Sequence, residues 1–195
     1  MSEVACFLLQ PDGRTRRGLR RYSRDFHVCP KGYGYHNAIA TLDEIVGPSP
    51  VDEWPKDDPR WPKVCEACGA PFEDADNWQL FTNALYISPT RPELGAITLQ
   101  EAPPGAMYFA DWMTGIGTYS PIAVREGRDK DPRGHLYVKL PDGHTWDTDA
   151  KSTNGEGWSR TGEPPNVTAS PSILSPRYHG HLSGGVLRST PDSAT

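Results

Sequence analysis

Prolines and glycines interrupt this chain so often that long regular elements have little room. The 195 residues include 20 prolines and 19 glycines, so about one position in five punctuates structure. Proline removes a backbone donor and glycine weakens the interior of helices and strands. The pattern predicts an α+β, mainly β fold: short strands and hairpins with few short helices. Hydrophobic residues make up 36% of the chain, with six tryptophans and eight tyrosines among the aromatics. Each aromatic buries a large area and offsets the shortage of aliphatics.

Several segments can be placed from their local pattern. Residues 3–9, EVACFLL, read as a first strand, and QPDGR after it as a turn. Residues 18–28 are a candidate return strand. The segment YHNAIATLDEIVG gives the best helix signal, with Asn37 as cap, Ile39, Leu42, Ile45 and Val46 at helical spacing, and Gly47 at its end. PSPVDEWPKDDPRWPK holds five prolines in sixteen residues and reads as a long loop. Residues 78–87 read as a second strand pair or a short buried strand, and APPGAMYFADWM as the start of a short helix. The clearest hairpin is HLYVKLPDGHTWDTD, where Leu136, Val138 and Leu140 alternate before a Pro-Asp-Gly turn and a return from His144. Asp147 and Asp149 are expected to be solvated there. The last residues read as a disordered tail.

Cys65-Glu-Ala-Cys68-Gly resembles a zinc-ribbon knuckle, in which two thiolates three positions apart grip one metal from a tight turn. Two further ligands are available in FHVCPKGYGYHNA. The expected set is Cys29, His36, Cys65 and Cys68, a structural zinc site, with His27 as the reserve ligand. The competing reading makes Cys65 and Cys68 a redox pair. Cys6 sits in an apolar strand and reads as a buried thiol. The metal would stitch an N-terminal module that lacks a large core.

The net charge of −5 gives no overall basic footprint, so nucleic acid is not the expected partner. The run RTRRGLRRYSR is a local exception and reads as a solvated arginine-rich strand or turn edge, the alternative being docking to phosphate or to an acidic protein surface. No run of about 18 apolar residues is present to span a membrane. The N-terminus shows no secretory pattern, so four cysteines favour metal or free thiols over disulfides.

In the C-terminal half, a serine and several histidines offer chemistry. Ser172 becomes a nucleophile only if a base takes its proton. His179 or His144 can serve as that base, and Glu163 or Asp147 can fix the imidazole tautomer. His179 and His181 share one face if the segment is a strand. The same groups allow a rival reading, with His144, Glu163 and His179 holding a metal-bound water.

The order of these pieces resembles the BubE-like family, which joins peptidases of bacterial ubiquitin-like operons with uncharacterised bacterial and phage proteins. The likeness rests on His144 after its turn, Trp158, Glu163 before proline, Ser170-Pro171-Ser172-Ile173, and His179 with Leu182, Gly185 and Leu187. A PPGAM-aromatic stretch from Pro103 to Trp112 extends it, so it covers roughly residues 103–187. Family members often carry cysteines where this chain has Leu140, Pro141 and Asp142, and Arg177 or Tyr178. The resemblance implies Ser172 as nucleophile and His179 as base, with His144 close by and Glu163 in support.

The sequence therefore predicts three parts: a zinc-knuckle module over 1–100, a β-rich BubE-like module over 101–187, and a tail over 188–195. The leading expectation is a phage or mobile-element hydrolase acting on a peptide or ester bond. The alternative is a non-catalytic, zinc-stabilised binding or virion-associated protein. Either would meet a protein or peptide partner, virion proteins included, without a membrane. The expected place is the bacterial host cytoplasm or the virion.

Overall fold

A computed structural model describes residues 3–24, 29–31, 35–46, 54–114, 117–153, 155–175 and 177–191. The strands are β1 (Glu3–Ala5), β2 (Phe7–Leu8), β3 (Gln10–Tyr22), β4 (Asn37–Val46), β5 (Asn77–Ile87), β6 (Ala106–Ala110), β7 (His135–Lys139), β8 (Thr145–Asp147), β9 (Ser159–Thr161), β10 (Thr168–Ser175), β11 (Tyr178–Ser183) and β12 (Val186–Ser189). Among the described residues, helix is confined to α1 (Pro121–Arg125) and two 3-10 turns, Pro92–Leu94 and Arg128–Lys130. The fold is mainly β with few short helices, as the density of prolines and glycines requires. No helix of the described residues is long and apolar enough to cross a membrane.

The chain forms two compact units, residues 1–10 with 87–195 and residues 11–86. This division differs from a boundary near residue 100. The N-terminal strand belongs with the C-terminal half because β1 pairs antiparallel with β12, Val4 opposite Leu187. The chain then leaves that sheet at Cys6, and β2 pairs parallel with β6, Phe7 opposite Ala106. What reads as one strand over 3–9 is thus two short strands in two sheets. Arg188 and Ser189 close β12, so the region read as a tail begins inside the fold.

In the larger unit, a five-stranded sheet runs β1-β12-β11-β10-β9 and a four-stranded sheet runs β2-β6-β7-β8. Their inner faces share one core. Met107, Leu136, Val138, Leu140 and Trp146 meet Val167, Ala169, Ile173, Tyr178, Leu182 and Leu187. This is a sandwich, with alternate residues of each strand turned inward. The β7–β8 hairpin forms as its alternation predicts, with Val138 opposite Trp146. Gly134 makes the entry to β7 possible: its φ is +79°, and a Cβ there would lie 2.1 Å from the Ala110 carbonyl oxygen. Residues 106–110, read as part of a short helix, instead form β6, because their pairing with β7 decides the backbone.

In residues 11–86 a three-stranded sheet runs β4-β3-β5. The predicted helix over 37–46 is strand β4, antiparallel to β3 with Leu19 opposite Ala40. Its period is two: Ala38 and Leu42 are buried, while Ile39 is 48% exposed. Ile39 and Leu42, which a helix would place on one face, therefore lie on opposite faces. Gly47, its expected stop, and residues 25–28 of the expected return strand lie outside the described residues. QPDGR also departs from the expected turn, since it opens β3. The described part of the proline-rich segment, residues 54–63, has no regular element but contributes to the core: Trp61 is buried with Leu19 and Leu42, with Trp54, Trp78, Ala40 and Leu80 packed against them.

The arginine run is not a solvated edge throughout. Arg21 is 5% exposed. Its guanidinium lies 3.8 Å from the Trp78 ring centroid and donates to the Glu73 carbonyl at 2.5 Å. Arg20 donates to Asn37 and to the Tyr35 hydroxyl. Arg21 ties loops to β3 through stacking and backbone acceptors and Arg20 reaches side-chain acceptors, which strand periodicity alone does not reveal.

Candidate metal centre and the C-terminal histidines

Cys29, His36, Cys65 and Cys68 each present one ligand atom, and all four atoms lie within 4.8 Å of one another. The knuckle holds Cys65 and Cys68 through its backbone. The Gly69 N–H donates to the Cys65 carbonyl at 2.8 Å and the Cys65 N–H to the Ala70 carbonyl at 2.7 Å. Gly69 takes φ +77°, the left-handed value that turns the chain back after Cys68. Val64 and Pro71 bridge across the turn. His36 precedes β4 and is fixed by its backbone, whose carbonyl accepts from the Ser23 N–H at 3.0 Å. Cys29 comes from the segment before His36. His27, the reserve ligand, lies outside the described residues.

The separations suit one small tetrahedral ion. Bond lengths of about 2.3 Å to sulfur and about 2.0 Å to nitrogen put sulfurs about 3.8 Å apart, and sulfur and nitrogen about 3.5 Å apart. Cys29 Sγ and Cys65 Sγ are 3.9 Å apart, and Cys68 Sγ and His36 Nδ1 are 3.2 Å apart. Cys29 and Cys65 are buried and Cys68 is partly buried. The thiols are not equivalent. Burial would raise Cys65, but backbone hydrogen bonds from Asn37 and Cys68, with His36, bring it down to about 6. Cys68 is raised: the Ala70 backbone hydrogen bond lowers it, but burial and the neighbouring Cys29 and Cys65 sulfurs outweigh that. A cation is what would allow all three sulfurs to be thiolates at once. The fourth cysteine, Cys6, packs against the sandwich core; burial pushes its thiol up to about 12, with a backbone hydrogen bond at Leu187 opposing. It takes no part in the cluster.

The expected catalytic set is only partly gathered. In β10 and β11, Leu174 is opposite His179, so Ser172 is the diagonal neighbour of His179 on the same face. His179 Nε2 and Ser172 Oγ are 3.4 Å apart. Ile173 and Tyr178 are buried inward, which turns Ser172, Leu174 and His179 outward. His181 lies on that outward face as well. Trp158 packs edge-on against Trp146 and donates from Nε1 to the Ser172 carbonyl at 3.4 Å, bracing the strand from behind.

His144 is placed elsewhere. Its Nδ1 is 3.2 Å from Asp142 Oδ2. Asp142 in turn accepts from Ser175 Oγ, whose register partner is the inward-facing Tyr178. His144 is thus tied to the inner side of β10, and His179 is on the outer side. The reason is the period of two: residues 172 and 175 differ by an odd number and face apart. Glu163 is also remote in its contacts, 81% exposed and 3.5 Å from Arg133. Among the described residues, His144, Glu163 and His179 are not one of the groups able to hold a metal.

Asp147 and Asp149 reverse the expectation of solvation. Asp149 is fully buried, paired with Arg128 and, at 3.1 Å, with Arg160. Its Oδ2 also accepts the Leu136 N–H at 2.8 Å. Asp147 Oδ2 lies 2.8 Å from Nδ1 of His135, a histidine with no exposed surface. Two countercharges and several donors make burial of Asp149 tolerable. Sequence reasoning passed over His135 and its other neighbour, Thr118, because residues 118, 135 and 147 share no spacing motif. The available signal was a lone histidine opening the alternating strand HLYVKL opposite two aspartates.

Among known proteins, no family model, no curated protein and no solved structure matches the chain.

Proposed function

We propose that the protein is a zinc-stabilised, β-rich scaffold that binds a protein partner, with a structural rather than catalytic metal. One observation carries the metal reading: four ligand atoms from Cys29, His36, Cys65 and Cys68 within 4.8 Å. Three sulfurs and one imidazole favour zinc over oxygen-loving cations such as magnesium or calcium. Four protein ligands complete a tetrahedron and leave no position for a reacting water. The ion would hold the segment before β4 against the knuckle, and its binding energy would be folding energy for that unit. The resemblance of residues 103–187 to the BubE-like family, which includes uncharacterised bacterial and phage proteins, supports looking for that partner among virion or host proteins.

The test is elemental analysis of protein purified without chelator. About one zinc per chain is expected of a closed four-ligand site, and Cys65→Ser should release it. Protein that folds fully with no bound metal would overturn this reading.

The 3.4 Å contact between Ser172 and His179 supports a second reading, a hydrolase in which Ser172 attacks a carbonyl and His179 takes its proton. A fluorophosphonate probe should then label Ser172, and Ser172→Ala or His179→Ala should abolish labelling. A wild-type protein that resists the probe would sink it.

A further inference from the structure

We propose that Thr118, His135 and Asp147 form an acyl-transfer site for carboxylic esters, separate from the metal cluster and from Ser172. Three side chains distant in sequence line up through hydrogen bonds. Thr118 Oγ1 lies 3.0 Å from His135 Nε2, and His135 Nδ1 lies 2.8 Å from Asp147 Oδ2. The other oxygen of Asp147 accepts the N–H groups of Asp149 at 2.9 Å and Ala150 at 3.1 Å.

The donors and acceptors can be assigned from this chain of contacts. A carboxylate only accepts, so His135 Nδ1 carries the hydrogen toward Asp147. A neutral imidazole then has its lone pair on Nε2, and the Thr118 hydroxyl donates to it. That is the order a nucleophile, a base and an orienting carboxylate require. A hydroxyl held this way can lose its proton as it attacks.

The fold fixes each member. His135 opens β7 directly after Gly134, Asp147 ends β8, and the paired strands set their separation. Asp147 Oδ1 is committed to the backbone beyond β8, so the carboxylate cannot swing away. The Tyr119 ring centroid is 4.0 Å from that of His135, and His135 has no exposed surface. The base is therefore dry and held in one orientation, which strengthens its interactions. The Ser120 N–H binds the Asp149 carbonyl at 2.8 Å, and its hydroxyl caps α1, pinning the chain two residues after Thr118. Thr118 itself is half-buried, and the exposed Gly117 beside it has open space where a Cβ would stand.

In the reaction, Thr118 Oγ1 bonds to the ester carbonyl carbon while its proton passes to His135 Nε2. The carbon–alkoxy bond then breaks, and the departing alkoxide takes that proton and leaves as the alcohol. The acyl group remains on Thr118. Water, deprotonated by His135, attacks the acyl carbon and releases the carboxylic acid, and the proton returns to Oγ1. No oxidant or further reactant is needed.

The experiment uses the full, metal-loaded chain and p-nitrophenyl acetate. The expected result is a burst of p-nitrophenolate of about one per chain, with one acetyl group mapped to Thr118 by peptide mass analysis. T118V should lower the acylation rate by about a hundredfold or more, and T118S should restore it. A role in packing alone would not direct acetyl to this residue. Wild-type protein that gains no acetyl at Thr118, or a burst unchanged in T118V, overturns the proposal. Acetyl found on Ser172 instead of Thr118 overturns it too, in favour of the serine reading above.

Discussion

Among the described residues, eleven buried side chains pack together between the two sheets of the larger unit, whereas the cluster in residues 11–86 centres on Leu19, Leu42 and Trp61. Both units are built from short strands, and both are dense in turns. Fully burying one large aliphatic side chain contributes about 1.5–3 kcal/mol. The sandwich therefore has an ample apolar driving force. A unit under about 80 residues with a small core rarely reaches more than about 3–5 kcal/mol from burial alone. That same unit gathers three thiols and an imidazole, and structural zinc binding in small peptides is worth about 10–16 kcal/mol. The difference teaches where each kind of damage should be felt: metal chemistry in residues 11–86, packing and buried charge in the sandwich.

The largest effect should follow Cys65→Ser. Losing one of four ligands forfeits most of the metal's contribution, more than the small core replaces. Residues 11–86 should lose protection from hydrogen exchange while β6–β8 and β10–β12 keep theirs. If the variant instead melts as wild type does, the metal is dispensable and the contrast between the units collapses.

Next comes Asp149→Ala. It removes the carboxylate that Arg128 and Arg160 share in a buried site and leaves Arg128 only its pair with Glu126 at 3.0 Å. Removing one partner of a buried ion pair costs about 3–5 kcal/mol. Chemical denaturation should show this loss, with zinc content unchanged. A cost near zero would mean that water enters and solvates the arginines.

Ile173→Ala probes packing in the same sandwich. Ile173 is 1% exposed, and such truncations cost about 2–5 kcal/mol. The loss should again leave metal content intact. A variant that releases zinc would show that the units are energetically coupled.

These contrasts also explain what the sequence made legible. The Cys65–Cys68 spacing names a metal knuckle whatever the surrounding fold, because the chemistry is local. The need for two more ligands points to Cys29 and a nearby histidine, with His36 preferred and His27 in reserve. The β7–β8 hairpin is legible for a similar reason: alternation and a Pro-Asp-Gly turn are local signals. β4 was not legible, because Ala, Ile, Leu and Val suit either a helix or a strand, and pairing with β3 decided the outcome. Nor was the buried charge of Asp149, which depends on arginines 21 and 11 residues away in sequence. Ser172 and His179 meet as strand pairing requires, but their relation to His144 depended on which face each strand presents.

Acid should separate the units with the smallest perturbation. Burial would raise the Asp142 carboxyl, but the Ser175 hydroxyl, the His144 N–H and the charge of His144 hold it net below its ordinary value. A carboxyl depressed on folding stabilises above its unfolded pKa, and that contribution is lost as pH falls through the folded value. For Asp142 the loss therefore begins only below about pH 4. If the cluster holds zinc as proposed, its ligands must stay deprotonated, and metal release competes with protons on three thiolates. On lowering the pH, zinc release reported by a colorimetric chelator should precede loss of the sandwich's near-ultraviolet circular dichroism. Simultaneous loss would argue against independent sources of stability.

The most direct measurement is hydrogen exchange, read peptide by peptide, before and after zinc is stripped by a strong chelator. The account predicts that protection in β3, β4 and β5 collapses on stripping and returns when one equivalent of zinc is restored, while β7, β10 and β11 stay protected throughout. Equal protection of β3–β5 with and without the metal would contradict it.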